Sequence, residues 1–93
     1  MSDKKHLKAI ISGKVQGVFF RAFVMKKARE LDVCGQVKFL ENGSLEVQAE
    51  AKENKLKEFE KLLSRGPRLA RVRDVEVEYS QDIQGYDKFV IRR

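Results

Sequence analysis

Residues 13–21 combine two glycines and an arginine in a pattern suited to holding an anion. The segment reads Gly13-Lys14-Val15-Gln16-Gly17-Val18-Phe19-Phe20-Arg21. Glycines allow sharp turns and let an anion approach the backbone, and the first N–H groups of a following helix lack intrahelical acceptors. The guanidinium of Arg21 can hold two phosphate oxygens at once. The spacing indicates a phosphate-binding loop; the alternative, on spacing alone, is a plain strand-to-helix connection with Arg21 in solvent.

The elements that position this loop follow from the spacing of apolar residues. Alternation predicts strands at about 6–12, 36–40, 45–51, 71–79 and 86–92, and apolar stripes predict helices at about 21–31 and 53–64. Asn42-Gly43, between the second and third strands, is a strong hairpin signal because both residues tolerate positive φ. The order β-α-β-β-α-β, with a short extra strand, predicts one α+β domain over residues 1–93. We expect a ferredoxin-like sandwich, in which an antiparallel sheet carries two helices on one face.

The composition restricts the setting and the partners. Hydrophobic residues make up 42% of the 93 residues, which is enough for one core. No apolar run approaches the ~18 residues that a membrane span needs. Because no signal-peptide pattern is present and Cys34 is the lone cysteine, a reducing, cytoplasmic location is expected. The net charge of +6 suits anionic partners, although solubility explains it equally well.

Few side chains outside the loop suggest chemistry. His6 is expected on the surface of the first strand. Cys34 is expected near the core at a helix–strand junction, where no neighbouring histidine would activate it. Phe19, Phe20 and Phe23 are expected in the core rather than in a platform for stacking bases.

The segment SGKVQGVFFR resembles the signature of the acylphosphatase family, which reads G-x-V-Q-G-V-x-F-R. The similarity continues in register at Ala28, Leu31, Gly35, Val37, Gly43, Glu46, Gly66-Pro67, Ala70, Val72 and Val75-Glu76-Val77-Glu78. It extends from Leu7 to Arg92, and the loop motif is highly specific.

The resemblance implies a hydrolase that converts acyl phosphates to a carboxylate and inorganic phosphate. In the family, loop amides and the arginine that matches Arg21 hold the phosphoryl group. The implied phosphate-binding residues are Val15, Gln16, Gly17, Val18, Phe19, Phe20 and Arg21. A carboxylate leaving group is weakly basic and needs no general acid, and phosphoryl transfer depends mainly on positioning and charge stabilisation. The expected ligand is a small acyl phosphate or inorganic phosphate, bound by a monomer without metal, cofactor or membrane.

One position departs from the family pattern. The family's water-orienting asparagine is expected in G-W-V-R-N, whereas this chain reads Gly35-Gln36-Val37-Lys38-Phe39. Phe39 therefore occupies the catalytic asparagine position, and its ring offers no hydrogen bond to water. Gln36 and Lys38 are expected on the opposite face of the strand. Asn42 is expected to serve the turn.

Three functions are compatible with these observations. The first is an acyl phosphate hydrolase with reduced or lost activity. The second is a catalytically weak or inactive phosphate-binding module on the same fold, which differs from the first only through Phe39. The third is RNA binding, which requires exposed aromatics in a basic strand; residues 36–40 offer only Phe39 and residues 45–51 none, so nucleic acid ranks last.

Overall fold

Within residues 3–17 and 19–92, which the computed structural model describes, the chain forms five strands and two helices. In chain order these are β1 (Lys4–Lys14), α1 (Phe20–Glu30), β2 (Cys34–Phe39), β3 (Leu45–Lys52), α2 (Glu53–Arg65), β4 (Arg71–Ser80) and β5 (Phe89–Ile91). Their kinds and order are those that the apolar spacing predicts, with β1 longer and β5 shorter than expected. No helix in this part of the chain is long and apolar enough to cross a membrane.

The strands form one sheet in the order β4-β1-β3-β2-β5. β1 lies antiparallel between β3 and β4, and β2 lies antiparallel beside β3, as expected for the predicted ferredoxin-like α+β fold. β5 adds a parallel pairing with β2, in which Ile91 lies opposite Val37. This parallel pairing, which the predicted antiparallel sheet did not include, places the last strand beside Gly35–Val37 of β2.

Both helices bury apolar stripes against one face of the sheet. The core contains Leu7, Ala9, Ile11, Val37, Leu45, Val47 and Ala49 from the strands, and Phe20, Val24, Ala28, Leu56, Phe59 and Leu63 from the helices. Helix α1 packs over β2 and β5, while α2 packs over β1, β3 and β4. The start of α1 is therefore held by the core at a fixed position relative to the sheet.

The three phenylalanines around the start of α1 have different environments. Phe20 is 1% exposed and Phe23 packs against the core, as predicted. The prediction of a core position for Phe19 is wrong, because its side chain is 83% exposed. Its backbone lies in the left-handed region, with φ of 59° and ψ of 30°, immediately before the helix begins. This local turn places Phe19 and Phe20 in opposite environments, which apolar spacing alone does not reveal.

Residues 81–88 connect β4 at one edge of the sheet to β5 at the other. Glu50 of β3 anchors this crossover segment across the sheet face that carries no helix. Its carboxylate accepts the backbone N–H groups of Gln84, Gly85 and Tyr86 at 2.5, 3.0 and 3.3 Å. Glu50 is only 2% exposed, so these bonds replace most of the water that a surface carboxylate would have.

His6 is part of the same arrangement. Its Nδ1 lies 2.7 Å from the Glu50 carboxylate, and its ring stacks on Tyr86 with 6.3 Å between the centroids. The prediction of a surface position for His6 is therefore wrong, since it is 8% exposed. The segment that covers it is remote in sequence. Cys34, in contrast, is half-buried at the start of β2, near the predicted helix–strand junction.

Candidate active site

Two residues in the connection between β1 and α1 have a left-handed backbone conformation. Gly17 has a φ of 66°, which glycine adopts freely, and Phe19 has a φ of 59°, which is costly for a residue with a side chain. The carbonyl of Phe19 accepts the N–H of Phe23 at 3.0 Å, the first hydrogen bond of the helix. Val18, which the resemblance places among the phosphate-binding residues, lies outside the described residues.

The start of α1 is electrostatically suited to an anion. Among the described residues, no side chain caps this helix end, and the first turn of the helix carries no acidic residue. The N–H groups of residues 20–22 have no acceptor within the helix, and the helix dipole places partial positive charge at this end. Arg21 adds a full positive charge in the second helical position.

Two buried side chains hold the loop in place. Val15 and Phe20, on either side of it, are each 1% exposed. The ring of Phe20 meets Phe23 edge to face at 5.9 Å, and it also abuts Gly66. A Cβ at Gly66 would lie 2.9 Å from that ring, so the turn after α2 closes tightly on the start of α1. Val15 and Phe20 can therefore offer a ligand only their backbone groups.

The side chain of Gln16 lies toward the β2–β3 turn. Its Nε2 lies 2.9 Å from the position that a Cβ of Gly43 would occupy. Val15 and Gln16 line a shallow concavity together with Asn42 and Gly43. Val15 and Gln16 therefore lie outside the main pocket, in which Gly17, Phe19, Phe20, Arg21 and Phe39 meet.

That main pocket has a volume of about 650 Å³ and is open to solvent. It is lined by Gly17, Phe19, Phe20, Arg21, Ala22, Phe39 and Ile91. The Cζ atom of Arg21 lies 4.8 Å from the centroid of the Phe39 ring, within the range of a cation–π contact. Phe39 and Arg21, predicted from separate motifs, are thus direct neighbours.

The strand that carries Phe39 directs its polar side chains elsewhere. Gln36 accepts a hydrogen bond from Arg92 Nε at 3.0 Å, and Lys38 Nζ lies 3.9 Å from a carboxylate oxygen of Glu46. Val37 is buried in the helix-covered core, and Phe39 follows it on the same side of the strand. Gln36 and Lys38 therefore do not line the pocket.

The turn after β2 also directs its side chains away from the pocket. Asn42 Oδ1 accepts the backbone N–H of Ser44 at 2.9 Å, which closes the turn. Glu41 is exposed and does not line the pocket.

Sequence reasoning missed Ile91 as a pocket residue. Ile91 is 38% exposed and reaches the pocket because β5 pairs in parallel beside β2. The alternation of apolar residues predicts a last strand that contains Phe89 and Ile91, but the alternation does not show which strand lies beside this last strand. Among the described residues, no three His, Cys, Asp or Glu side chains are grouped so that they could hold a metal ion.

Fold and pocket together define a class of protein: a ferredoxin-like α+β domain with an anion-suited loop at the start of its first helix. A model of the acylphosphatase family matches residues 7–91. The acylphosphatase of Dehalococcoides mccartyi is 46% identical over 87 residues, which cover 92% of this chain and 96% of the relative.

Two solved structures agree with this match. The crystal structure of acylphosphatase from Bacillus subtilis has a TM-score of 0.93 at 34% identity and covers 96% of this chain and 99% of its own. An acylphosphatase from Coxiella burnetii has a TM-score of 0.90 at 37% identity, with coverages of 96% and 93%. The chain belongs to the acylphosphatase family.

Proposed function

We propose that this protein binds the phosphoryl group of acyl phosphates at the start of α1 and hydrolyses them slowly, because Phe39 stands where a water-orienting side chain is needed. The observation that carries the proposal is the 4.8 Å contact between the Arg21 guanidinium and the Phe39 ring. It places an apolar ring next to the group that would hold the phosphate.

Binding is supported by complementary charge. The free N–H groups of the first helical turn and the Arg21 guanidinium all favour a dianion, and the first turn has no carboxylate to repel it. Stacking on Phe39 occupies a face of the guanidinium and leaves its in-plane N–H donors available for two phosphate oxygens. We include in this site the backbone amides of Gly17, Phe19 and Phe20, which line the pocket.

Slow turnover follows from the pocket lining. Arg21 is the only described lining residue with a polar side chain; the rest are glycine, alanine, phenylalanine and isoleucine. Arg21 is needed for the phosphoryl group, so no other lining side chain can orient an attacking water. Loss of such positioning lowers a rate by on the order of 100-fold.

The test is the hydrolysis of acetyl phosphate by the natural protein and by Phe39→Asn. We expect the variant to raise kcat by about 100-fold, because an amide can hold water beside the phosphoryl group. Phe39→Leu is the matched control, since it removes the ring without adding a hydrogen-bonding group, and it should give no gain. Fast hydrolysis by the natural protein, unchanged in Phe39→Asn, would contradict the proposal.

Phe39 also favours a second function, that of a phosphate-binding module without hydrolytic activity. If phosphate binds, as measured by calorimetry, and acyl phosphate is not hydrolysed at all, the protein is a phosphate-binding module. Measuring affinity and turnover on one preparation separates the two functions.

We further propose that the protein acts as a cytoplasmic monomer without metal or cofactor and does not bind nucleic acid. The single cysteine, Cys34, cannot form a disulfide within the chain, which agrees with a reducing compartment. Light scattering coupled to gel filtration measures the mass in solution. Unchanged phosphate affinity after treatment with EDTA would agree with a metal-free site.

A further inference from the structure

The chain leaves α2 through a β-turn that carries an exposed leucine. The N–H of Ala70 donates to the carbonyl of Pro67 at 3.0 Å, so Arg68 and Leu69 occupy the tip of this turn. Leu69 is 68% exposed and takes no part in the hydrophobic core. Single exposed apolar residues are common on protein surfaces, so the leucine becomes informative only through its surroundings.

The residues around this turn carry positive charge only. Residues 61–73 contain no carboxylate and five basic side chains, all of them exposed: Lys61, Arg65, Arg68, Arg71 and Arg73. Among the described residues, no carboxylate lies within ion-pair distance of any of the five. Their charge is therefore not neutralised within the protein and is available to an anionic surface.

A second exposed apolar side chain lies close to the turn. A Cβ at Gly66 would lie 2.9 Å from the ring of Phe20, so the chain after α2 contacts the start of α1. Phe19, which directly precedes this ring, is 83% exposed. Phe19 and Leu69 are the two most exposed of the large apolar side chains among the described residues. This end of the molecule thus combines apolar tips with unpaired cations.

We propose that residues 65–73, which we call the basic turn, dock the protein on an anionic lipid bilayer, with Leu69 inserted below the headgroups and the arginines at the lipid phosphates. Docking of this kind needs no membrane-spanning helix. It departs from the expectation, drawn from the sequence, of a protein without a membrane partner. It is independent of the proposed hydrolysis.

Both halves of a lipid surface match the basic turn. A guanidinium can bind two oxygens of one phosphate, and each basic residue near an anionic bilayer strengthens binding about fivefold. The side chain of Leu69 gains by leaving water for the apolar layer beneath the phosphates. The backbone of a nucleic acid also offers phosphates to the arginines, but such contacts leave the leucine in water. The leucine at the tip therefore favours the bilayer.

The first experiment is sedimentation of the natural protein with vesicles of phosphatidylcholine, alone or with about 30% phosphatidylserine. We expect binding to the anionic vesicles only, weakened by a rise in salt from about 0.1 M to about 0.5 M. Arg65→Gln/Arg68→Gln should weaken it roughly 30-fold, and Leu69→Ser about tenfold.

Two control variants match these changes at other places. Lys52→Gln/Lys55→Gln also removes two exposed charges, but at the start of α2, about 20 Å from Arg65 and beyond the screening length at about 0.1 M salt. Ile83→Ser removes a side chain that is 42% exposed in the segment between β4 and β5. Both controls should bind as the natural protein does. A thermal unfolding curve verifies that each variant is folded.

Insertion of the leucine is measured by fluorescence. The chain contains no tryptophan, so Leu69→Trp supplies a single reporter. Its emission should shift to the blue when anionic vesicles are added, whereas that of Ile83→Trp should not shift.

Several results would overturn the proposal. Equal sedimentation with neutral and anionic vesicles, no sedimentation with either, or an unshifted emission of Leu69→Trp would each contradict docking through the basic turn. A duplex oligonucleotide is the last arm. If the duplex binds as tightly as the anionic vesicles and Leu69→Ser changes neither affinity, the arginines recognise phosphates alone and the assignment to lipid is wrong.

Discussion

Under the proposed function, the contact between Arg21 and Phe39 is expected to favour phosphate binding and to disfavour hydrolysis. A guanidinium stacked on a ring loses few conformations when it binds an anion, because its orientation is already restricted. The same ring occupies the place from which a polar side chain could orient water. In the proposed function, this single residue thus favours phosphate binding and disfavours hydrolysis, so phosphate affinity and turnover are expected to respond in opposite directions to Phe39→Asn.

Phe19 offers a stability test at the scale of one residue. Its φ of 59° costs a residue with a side chain about 1 kcal/mol, and its 83% exposure means that little packing is lost on substitution. Asparagine tolerates this conformation, so Phe19→Asn should raise the free energy of unfolding by roughly 0.5–1 kcal/mol. Urea denaturation measures the change.

Phe19→Leu is the control for this substitution. Leucine also lacks the aromatic ring but tolerates the left-handed conformation no better than phenylalanine, so no gain is expected. A clear loss of stability in Phe19→Asn would mean that the exposed ring has packing partners in solution.

The crossover segment, residues 81–88, depends on Glu50 at the scale of one element. Burial of this carboxyl opposes its ionisation, but the hydrogen bonds from Gln84, His6, Gly85 and Tyr86 outweigh burial and hold the pKa of Glu50 below its usual value. The burial of the Tyr86 hydroxyl and the nearby negative charge of Glu50 raise the pKa of Tyr86. One ionised side chain therefore fixes the backbone of the segment that leads into β5, and hence the position of Ile91.

Replacing this carboxylate should destabilise the protein in a pH-dependent manner. Glu50→Gln removes the charge that three backbone N–H groups share, so we expect a loss of about 1–3 kcal/mol at pH 7. Since the folded-state pKa is lowered, the stabilisation is complete above the pKa of the unfolded carboxyl, about 4.3, and is lost as pH falls through the folded-state value.

Urea denaturation at pH 7 and at pH 3 tests this sign. The natural protein and Glu50→Gln should differ most at pH 7, and the difference should narrow at pH 3. Glu76→Gln, at an exposed position on β4, is the control and should change stability by less than about 0.5 kcal/mol at either pH. A difference that grows toward acid would contradict the lowered pKa.

The elements that sequence predicts well are those with local causes. The hairpin at Asn42-Gly43 follows from two local causes: Gly43 adopts a φ of 88°, and the Asn42 side chain accepts the backbone N–H of Ser44. The position of Phe39 follows from counting along one strand. The contact of Arg21 with Phe39 and the arrival of Ile91 depend instead on packing between distant segments, which apolar periodicity does not encode. The buried position of His6 also depends on packing between distant segments.

At the scale of the whole molecule, the net charge is +6, and several of the basic residues lie near the loop that leads into α1. Basic residues gather where β1 ends, α2 ends and β4 begins, at Lys14, Arg65, Arg68, Arg71 and Arg73, all of them exposed. Lys14 of β1 lies opposite Arg71 of the neighbouring strand β4, next to the loop that leads into α1. No carboxylate lies within ion-pair distance of these five among the described residues. Their charge is therefore available to attract anions toward the loop.

The location of charge, rather than its sum, should govern phosphate affinity at low salt. Arg71→Gln/Arg73→Gln and Lys5→Gln/Lys52→Gln each remove two positive charges, the first pair beside the loop and the second at the opposite end of β1, about 30 Å away. At about 0.05 M salt the screening length is shorter than that separation.

We expect the Arg71/Arg73 variant to weaken phosphate binding about threefold and the Lys5/Lys52 variant to have little effect, because salt screens the interaction of the ligand with distant charges most strongly. Titration calorimetry at about 0.05 M and 0.5 M salt measures both, and the difference should disappear at the higher concentration. Equal weakening by the two variants would mean that net charge alone attracts the ligand, and the basic end of the molecule would then have no particular role at the site.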